Sequence, residues 1–201
     1  FEQADPETGL IRSHRYVTGA HTQAGGFDIR AAAEQAVVYA VTGRIPQARQ
    51  CLVATLDHQD RNPASFTYGN FFWHSTWTTA LDPNAVSFIV PKLWYLLRFH
   101  PDLVPADLLP RLKDALALSL TGINAHRATW GYTNIEMLNI ASRICIADVL
   151  GDERALRLGY WAWEEWRNHT ARYGMITEYN SLTYTPVQVD AMAIMLASAI
   201  S

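Results

Sequence analysis

Cysteine is scarce in this sequence, with two residues among 201. Cys51 and Cys145 lie far apart, each within an apolar pattern typical of a helix. Such positions favour two buried thiols, because a disulfide-stabilised domain needs a dense framework of cysteines. The sequence therefore argues against a disulfide scaffold and leaves the cellular compartment open.

Charge of one sign and long apolar runs are also missing. The chain has 16 Lys and Arg against 19 Asp and Glu, a formal net charge of −3. No broad positive field exists to attract nucleic acid or an anionic membrane. No apolar run reaches the roughly 18 residues of a membrane-spanning helix, and the first residues lack the pattern of a signal peptide. We expect neither a nucleic-acid partner nor a membrane partner.

Apolar residues are present in quantity, at 49% of the chain, which suffices for one sizeable core. They recur at helical spacing, and no alternating strand pattern of similar length competes with them. Helix ends are marked by residues with a physical reason to be there: Asp28 can cap the first helix and Gly43 can close it. Further start signals are Pro46, Asp82-Pro83, a Thr133–Glu136 capping box, Asp152 and Thr185-Pro186, and further stop signals are Gly122, Gly151 and Gly174.

The start signals repeat along the chain. First helices of successive hairpins are predicted near positions 28, 83, 133 and 185, a period of roughly 50 residues that is typical of stacked helical arrays. The sequence therefore predicts an all-α fold, an array of antiparallel helical hairpins over residues 28–201, after an irregular N-terminal segment over residues 1–27. Because the last hairpin lacks its second helix, we expect a domain truncated at its C-terminus, which the missing part of the same chain completes.

Three long connections between the predicted hairpins carry aromatic and polar side chains. Because antiparallel helices send alternate connections to opposite ends, these three loops are expected at one end of the array. Aromatic faces can stack on a pyranose ring while amides, imidazoles and phenols bind its hydroxyls. The alternative is that the aromatics only seal the end of the core. The residues are Asn70, Trp73, His74 and Trp77 in the first loop, His126, Arg127, Trp130, Tyr132 and Asn134 in the second, and Glu178, Tyr179, Asn180 and Tyr184 in the third.

Two segments carry a resemblance to a known class of protein: 130–134 (Trp-Gly-Tyr-Thr-Asn) and 178–184 (Glu-Tyr-Asn-Ser-Leu-Thr-Tyr). In these segments the chain resembles α/α-toroid carbohydrate-active proteins, including uncharacterised members likened to heparinase II/III and alginate lyases. The resemblance spans most of the chain from Asp82 onward and implies an incomplete arc of an (α/α)6 toroid. The related pattern usually has Pro where Leu182 stands, which implies a less rigid turn here.

The lyase resemblance implies cleavage of a uronic-acid-containing polysaccharide or oligosaccharide by β-elimination, with no metal and no cofactor. Donors must first spread the charge of the uronate carboxylate. A His or Tyr then removes the C5 proton, and a phenol returns a proton to the departing oxygen. Such a substrate favours an extracellular or periplasmic location. The implied catalytic residues are Tyr132, His126, Tyr184, Asn134 and Glu178, and the implied substrate-binding residues are Asn70, Trp73, His74, Trp77, Arg127, Trp130, Tyr179 and Asn180.

Two alternatives remain open. A glycoside hydrolase on the same toroid needs two carboxylates about 5 to 10 Å apart. Glu178 is the loop candidate, and Asp82 or Glu136 would supply the second only if it is not a helix cap. A noncatalytic helical-repeat module would use the same aromatic end to bind a glycan or a protein. The sequence contains no His pair at metal spacing, no nucleophile elbow and no glycine-rich phosphate loop.

Overall fold

The structure is a computed structural model of the 201-residue chain. It describes residues 4–5, 8–11, 26–78, 82–126, 128–178 and 180–199. Within these ranges the regular structure is entirely helical, with isolated bridges but no strand, which confirms the all-α prediction. The helices are α1 (Ile29–Val41), α2 (Ile45–Asp57), α3 (Ala85–Phe99), a 3₁₀ turn (Pro101–Leu103), α4 (Leu109–Ala125), α5 (Thr133–Leu150), α6 (Glu153–Tyr173) and α7 (Tyr184–Ala199).

The chain divides into two compact units, Phe1–Gly122 and Ile123–Ser201. In the first unit α1 packs against α2 and α3, and in the second unit α5 packs against α6 and α7. The contacting helices α1 and α2 are consecutive along the chain, and so are α5 and α6. In each unit a first helix also contacts the first helix of the next predicted hairpin.

In the second unit α5 and α7 run in the same direction. The carboxylate of Glu178, just before α7, lies 2.7 Å from the backbone nitrogen of Asn134, near the start of α5. Near the other ends of the two helices, the hydroxyl of Ser198 reaches the thiol of Cys145. The loops that precede α5 and α7 therefore lie at one end of this unit.

In the first unit three ion pairs join the α2 segment (residues 49–61) to the α4 segment (residues 107–114), in the same order along both. Arg49 pairs with Asp107 at 2.7 Å, Asp57 pairs with Arg111, and Arg61 pairs with Asp114 at 2.7 Å. All six side chains are substantially exposed, so solvent screens each pair and its contribution to stability is small. Their order shows that the two segments run parallel.

Several helix ends follow the sequence signals. The carboxylates of Asp28 and Asp152 accept hydrogen bonds from Ala31 N at 2.8 Å and Ala155 N at 2.9 Å. Each carboxylate thereby satisfies a backbone donor that has no partner inside its helix. The predicted stops Gly43, Gly151 and Gly174 have φ values of 78°, 66° and 73°, the left-handed conformation that ends a helix most readily at glycine.

Two predicted helix ends are wrong. Gly122 does not stop α4, which continues to Ala125; a Cβ at Gly122 would lie 2.8 Å from the carbonyl carbon of Gly69, so this glycine serves a close backbone approach. The Thr133–Glu136 capping box is also absent, because Thr133 is already inside α5 and its hydroxyl donates to Trp130 O at 3.2 Å. The helix starts one residue too early for that box to form.

The start of α3 also differs from the prediction. The helix begins at Ala85 rather than at Pro83, and the carboxylate of Asp82 accepts a hydrogen bond from Asn84 N at 2.9 Å. Asp82 therefore stabilises a turn just ahead of the helix. This local role leaves it a weaker candidate for a catalytic carboxylate.

Both cysteines are buried, as predicted. Burial raises the pKa of the Cys51 thiol to about 12 and raises the pKa of Cys145 well above its usual value. In the N-terminal segment the backbone of Ala4 bridges that of Ile11, and the Tyr39 hydroxyl donates to Gly9 O; positions 12–25, where an irregular segment is predicted, lie outside the described residues. No helix in the described ranges has the length and apolar character to cross a membrane.

Candidate functional site

The second and third aromatic loops meet in the second unit. One carboxylate oxygen of Glu178 accepts a hydrogen bond from the backbone of Asn134 at 2.7 Å, across 44 positions of sequence. Asn134 is the second residue of α5, whose N-cap residue Tyr132 makes no side-chain capping bond. Glu178 thus satisfies a donor at the positive end of the helix dipole. This bond ties the loop before α7 to the start of α5.

Two phenols of the predicted catalytic set stand beside this junction in the chain. Tyr132 directly precedes α5 with 38% of its surface exposed, and Tyr184 begins α7 with 41% exposed. The backbone nitrogen of Tyr184 bonds to the Ser181 hydroxyl at 3.0 Å, which shapes the end of its loop. His126 follows the last turn of α4 and is half-buried. Each of these three side chains lies at or beside a helix end and keeps part of its surface exposed to solvent.

The amides of this region differ in access. Asn134 is buried, and its side-chain oxygen has no hydrogen-bond partner among the described residues. A buried amide oxygen without a partner is costly, by roughly 1–3 kcal/mol. Asn180 is exposed in the third loop. The predicted binding residues Arg127 and Tyr179 lie outside the described residues.

The first aromatic loop lies in the other unit and packs largely inward. Asn70, Trp73 and His74 are 1%, 8% and 4% exposed, and Trp77 is half-buried. The Trp73 ring lies 5.4 Å from the ring of Phe88 on α3. In this conformation the first three offer a ligand very little surface, as expected for side chains that seal a core.

His74 has a defined buried environment beside the start of α1. The backbone nitrogen of Thr76 donates to its Nδ1 at 3.3 Å, and the Thr76 hydroxyl lies 2.8 Å from the same atom. Burial lowers the pKa of His74, the Asp28 carboxylate opposes that shift, and His58 adds to it. An Nδ1 that accepts a hydrogen bond carries no proton, so the ring is held in its neutral form.

A cavity of about 230 Å³ opens between α5 and α6 in the second unit. It is smaller than the pockets of about 300–1,000 Å³ that hold drug-sized ligands, so it suits a group the size of a single ring. Among the predicted binding residues that the structure describes, only Trp130 lines it. The lining residues of this α5–α6 cavity are Asn124, Ala128, Trp130, Glu136, Arg143, Leu158, Trp161, Ala162 and Glu165.

Three residues that matter most to the cavity were missed by the sequence interpretation. Arg143, Trp161 and Glu165 lie inside α5 and α6 rather than in the loops. A signal was available on α6, where Ala155, Gly159 and Trp166 form the buried face. Trp161 and Glu165, four positions apart, fall on another side of that helix. An exposed tryptophan one helical turn from a carboxylate, away from the core face, is a sequence signal for a binding surface.

No group of three or more His, Cys, Asp or Glu side chains that could hold a metal ion occurs in the part of the chain that the structure describes. Comparisons of the chain with protein-family models, with curated proteins and with solved structures give no match.

Proposed function

We propose that this chain is an arc of an α/α-toroid carbohydrate-active enzyme that cleaves a uronic-acid-containing polysaccharide by β-elimination. The observation that carries the proposal is the junction between the second and third loops. There the bond from Asn134 N to Glu178 brings together the two segments that resemble toroid lyases. The parallel packing of α5 beside α7 supports the toroid arrangement, because successive inner helices of such an array run in the same direction.

In the proposed reaction different side chains act as the base, as the acid and as hydrogen-bond donors to the substrate. His126 takes the C5 proton of the uronate, and the electron pair left on C5 forms the C4–C5 double bond as the C4–O bond breaks. The phenol of Tyr184 or Tyr132 gives a proton to the departing oxygen, which leaves as the hydroxyl of the released chain. Donors at the site, such as Asn180, bind the uronate carboxylate and make its neighbouring proton more acidic.

Glu178 acts in this scheme as a positioning residue. Its carboxylate is engaged by the start of α5, where the helix dipole stabilises the negative charge. The carboxylate fixes the third loop, and with it Tyr184, against the loop that carries Tyr132.

The test is turnover of uronate-containing polysaccharides by the 201-residue chain, followed by the ultraviolet absorbance of the unsaturated product. Tyr184→Phe and His126→Ala should each lower the rate by at least about 100-fold, because a positioned acid or base contributes about 10²–10⁴-fold. Tyr95→Phe is the matched control, since Tyr95 is a phenol of similar exposure on α3. If both variants turn over the substrate at the wild-type rate, these catalytic assignments are wrong.

A glycoside hydrolase is the second candidate, and one observation favours it. Glu136 does not form the predicted capping box and instead lines the α5–α6 cavity together with Glu165. Two carboxylates at one sugar-sized cavity are the minimum equipment of a hydrolase. New reducing ends without unsaturated product, together with loss of turnover in Glu165→Gln, would replace elimination with hydrolysis.

A further inference from the structure

The α6 helix carries a row of aromatic rings outside the loops of the proposed catalytic site. Trp161, Glu165, His169 and Tyr173 follow one another at intervals of four residues, and such positions share one face of a helix. The His169 ring lies 4.2 Å from the ring of Trp130 and 4.7 Å from that of Tyr173. These contacts join Trp130 to the row. We call Trp161, Trp130, His169 and Tyr173 the α6 aromatic row.

The row is open to solvent. Trp161 and Tyr173 are 61% and 65% exposed, and Trp130 is 43% exposed. At a rise of about 1.5 Å per residue, the positions of Trp161 and Tyr173 lie about 18 Å apart along α6. A contiguous group of exposed aromatic rings marks a binding surface in a way that a single exposed ring does not. The length of the row suits an oligomer of several ring-shaped units better than a single small molecule.

The charges of the adjoining α5–α6 cavity narrow the choice of ligand. Arg143 contributes a positive charge and is oriented by the side-chain oxygen of Asn124 at 3.2 Å. Glu136 and Glu165 contribute negative charges. A cationic ligand would meet Arg143, and an anionic ligand would meet the two carboxylates. An uncharged ligand that both donates and accepts hydrogen bonds avoids the repulsion between like charges in either case.

Glu165 supplies an available acceptor within this cavity. Among the described residues it makes no hydrogen bond or ion pair, although it is half-buried beside Trp161. A carboxylate in such a place accepts hydrogen bonds from hydroxyl groups strongly. Sugar hydroxyls would bond to Glu165 while the apolar face of the ring stacks on an indole.

We infer that the α5–α6 cavity binds one uncharged pyranose of a glycan and that the α6 aromatic row carries the following sugars of the same chain. This site goes beyond the proposed elimination, because it needs none of the catalytic residues and, within the described part of the chain, shares only Trp130 with the predicted binding set. It assigns to the second unit a surface for neutral sugars, in contrast to the uronate that the proposed reaction requires.

The test measures binding of neutral hexose tetrasaccharides with β-1,4-linked glucose, β-1,4-linked mannose or α-1,4-linked glucose to the whole 201-residue chain by calorimetry. A uronate tetrasaccharide and tetralysine are the charged comparison probes. At least one neutral tetrasaccharide should bind more tightly than either charged probe. Trp161→Ala should weaken its binding at least about tenfold through loss of the stacking ring, and Trp161→Phe should restore part of it.

The controls use neighbouring or equally exposed groups. Glu165→Gln should weaken binding several-fold, whereas Glu164→Gln, next to it but paired with Arg167, should leave binding unchanged. Phe66→Ala removes an exposed ring in the other unit and should have no effect. Circular dichroism of each variant checks the fold; Trp161 is exposed enough for its replacement to be tolerated.

Three outcomes would overturn the inference: no binding of any of the neutral tetrasaccharides at millimolar concentration, unchanged binding in a folded Trp161→Ala, or tighter binding of a charged probe. The proposed elimination fails separately, in the turnover assay. Tyr184→Phe should abolish turnover and leave neutral-glycan binding intact. Trp161→Ala should weaken the binding of the neutral glycan and leave turnover of the uronate substrate intact.

Discussion

Glu178 caps the start of α5, where no neighbouring side chain in the sequence does so. The N-cap residue Tyr132 has no side-chain oxygen close enough to bond the first free backbone donors, and Thr133 is turned to Trp130 O instead. The carboxylate of Glu178 supplies the missing acceptor at Asn134 N. A residue chosen from the sequence for its chemistry therefore has a structural role that only the folded chain reveals.

His74 leads to a prediction about pH. Its pKa in the folded chain is below the ordinary value of 6.5, mainly because of burial. Well above pH 6.5 this ring is neutral in both folded and unfolded chains and adds no pH dependence. As pH falls below 6.5, the unfolded chain binds a proton that the folded chain still excludes, so the free energy of unfolding decreases. The slope from one such group is at most about 1.4 kcal/mol per pH unit.

The measurement is urea unfolding of the wild type and of His74→Gln at pH 7.5 and at pH 5.5. The wild type should lose more stability between these two values than the variant, which lacks the titrating ring. The comparison uses the change with pH within each protein, so a uniform effect of the substitution cancels. Equal losses in the two proteins would contradict the assigned direction of the His74 pKa.

At the scale of elements, a close approach between backbones holds the connection after α2 against α4. Gly69 has a φ of 90°, and a Cβ placed there would overlap the carbonyl oxygen of Leu118 and lie 2.9 Å from Gly122 N. A Cβ at Gly122, inside α4, would in turn lie 2.8 Å from the carbonyl carbon of Gly69. The glycine that resembles a helix stop in the sequence is therefore a contact point between two elements.

Gly69→Ala should destabilise the chain much more than Gly43→Ala. Gly43 also has a positive φ, of 78°, but nothing lies within 4 Å of a Cβ built there. Its substitution should cost about 1 kcal/mol for the left-handed conformation alone. At Gly69 the steric overlap should add at least about 2 kcal/mol. Chemical denaturation of both variants gives the comparison, and similar losses would show that α4 can move away.

At the scale of the whole molecule, each compact unit contains one buried thiol. Cys51 lies in Phe1–Gly122 and Cys145 in Ile123–Ser201, both completely buried. The reactive species is the thiolate, and a pKa of about 12 for Cys51 keeps that species very rare near neutral pH. The two thiols can therefore report separately on the opening of the two units.

Thiol labelling at pH 7.5 should proceed at least about 100-fold more slowly in native buffer than in concentrated urea. Cys145→Ala leaves Cys51 as the probe of the first unit, and Cys51→Ala leaves Cys145 as the probe of the second. Mass spectrometry of the labelled chain gives the two rates. Fast native labelling of either variant would mean that its unit opens readily or that its thiol is not buried.

The candidate site could be predicted only in part, and the limit is physical. The sequence marked Trp130, Tyr132, Glu178 and Tyr184 because aromatic faces and polar groups together suit a sugar ring, and because their segments resemble toroid proteins. It left open whether the first loop binds a ligand or seals the core, because the burial of Asn70, Trp73 and His74 depends on what the rest of the chain places around them. The sequence does not predict Arg143, Trp161 and Glu165 as cavity residues, because helical spacing indicates which side chains face the core and not which of the others line a cavity.

The amino-acid sequence by itself determined which segments are helical and where many of them begin and end. Asp28, Asp152, Gly43 and Gly151 act on backbone groups within a few residues of themselves, so local chemistry decides their roles. Only the tertiary structure decided that Glu178 bonds to Asn134, that Gly69 meets Gly122 and that Trp161 lines a cavity. These contacts join residues distant in the chain, and the packing of whole helices sets their distances.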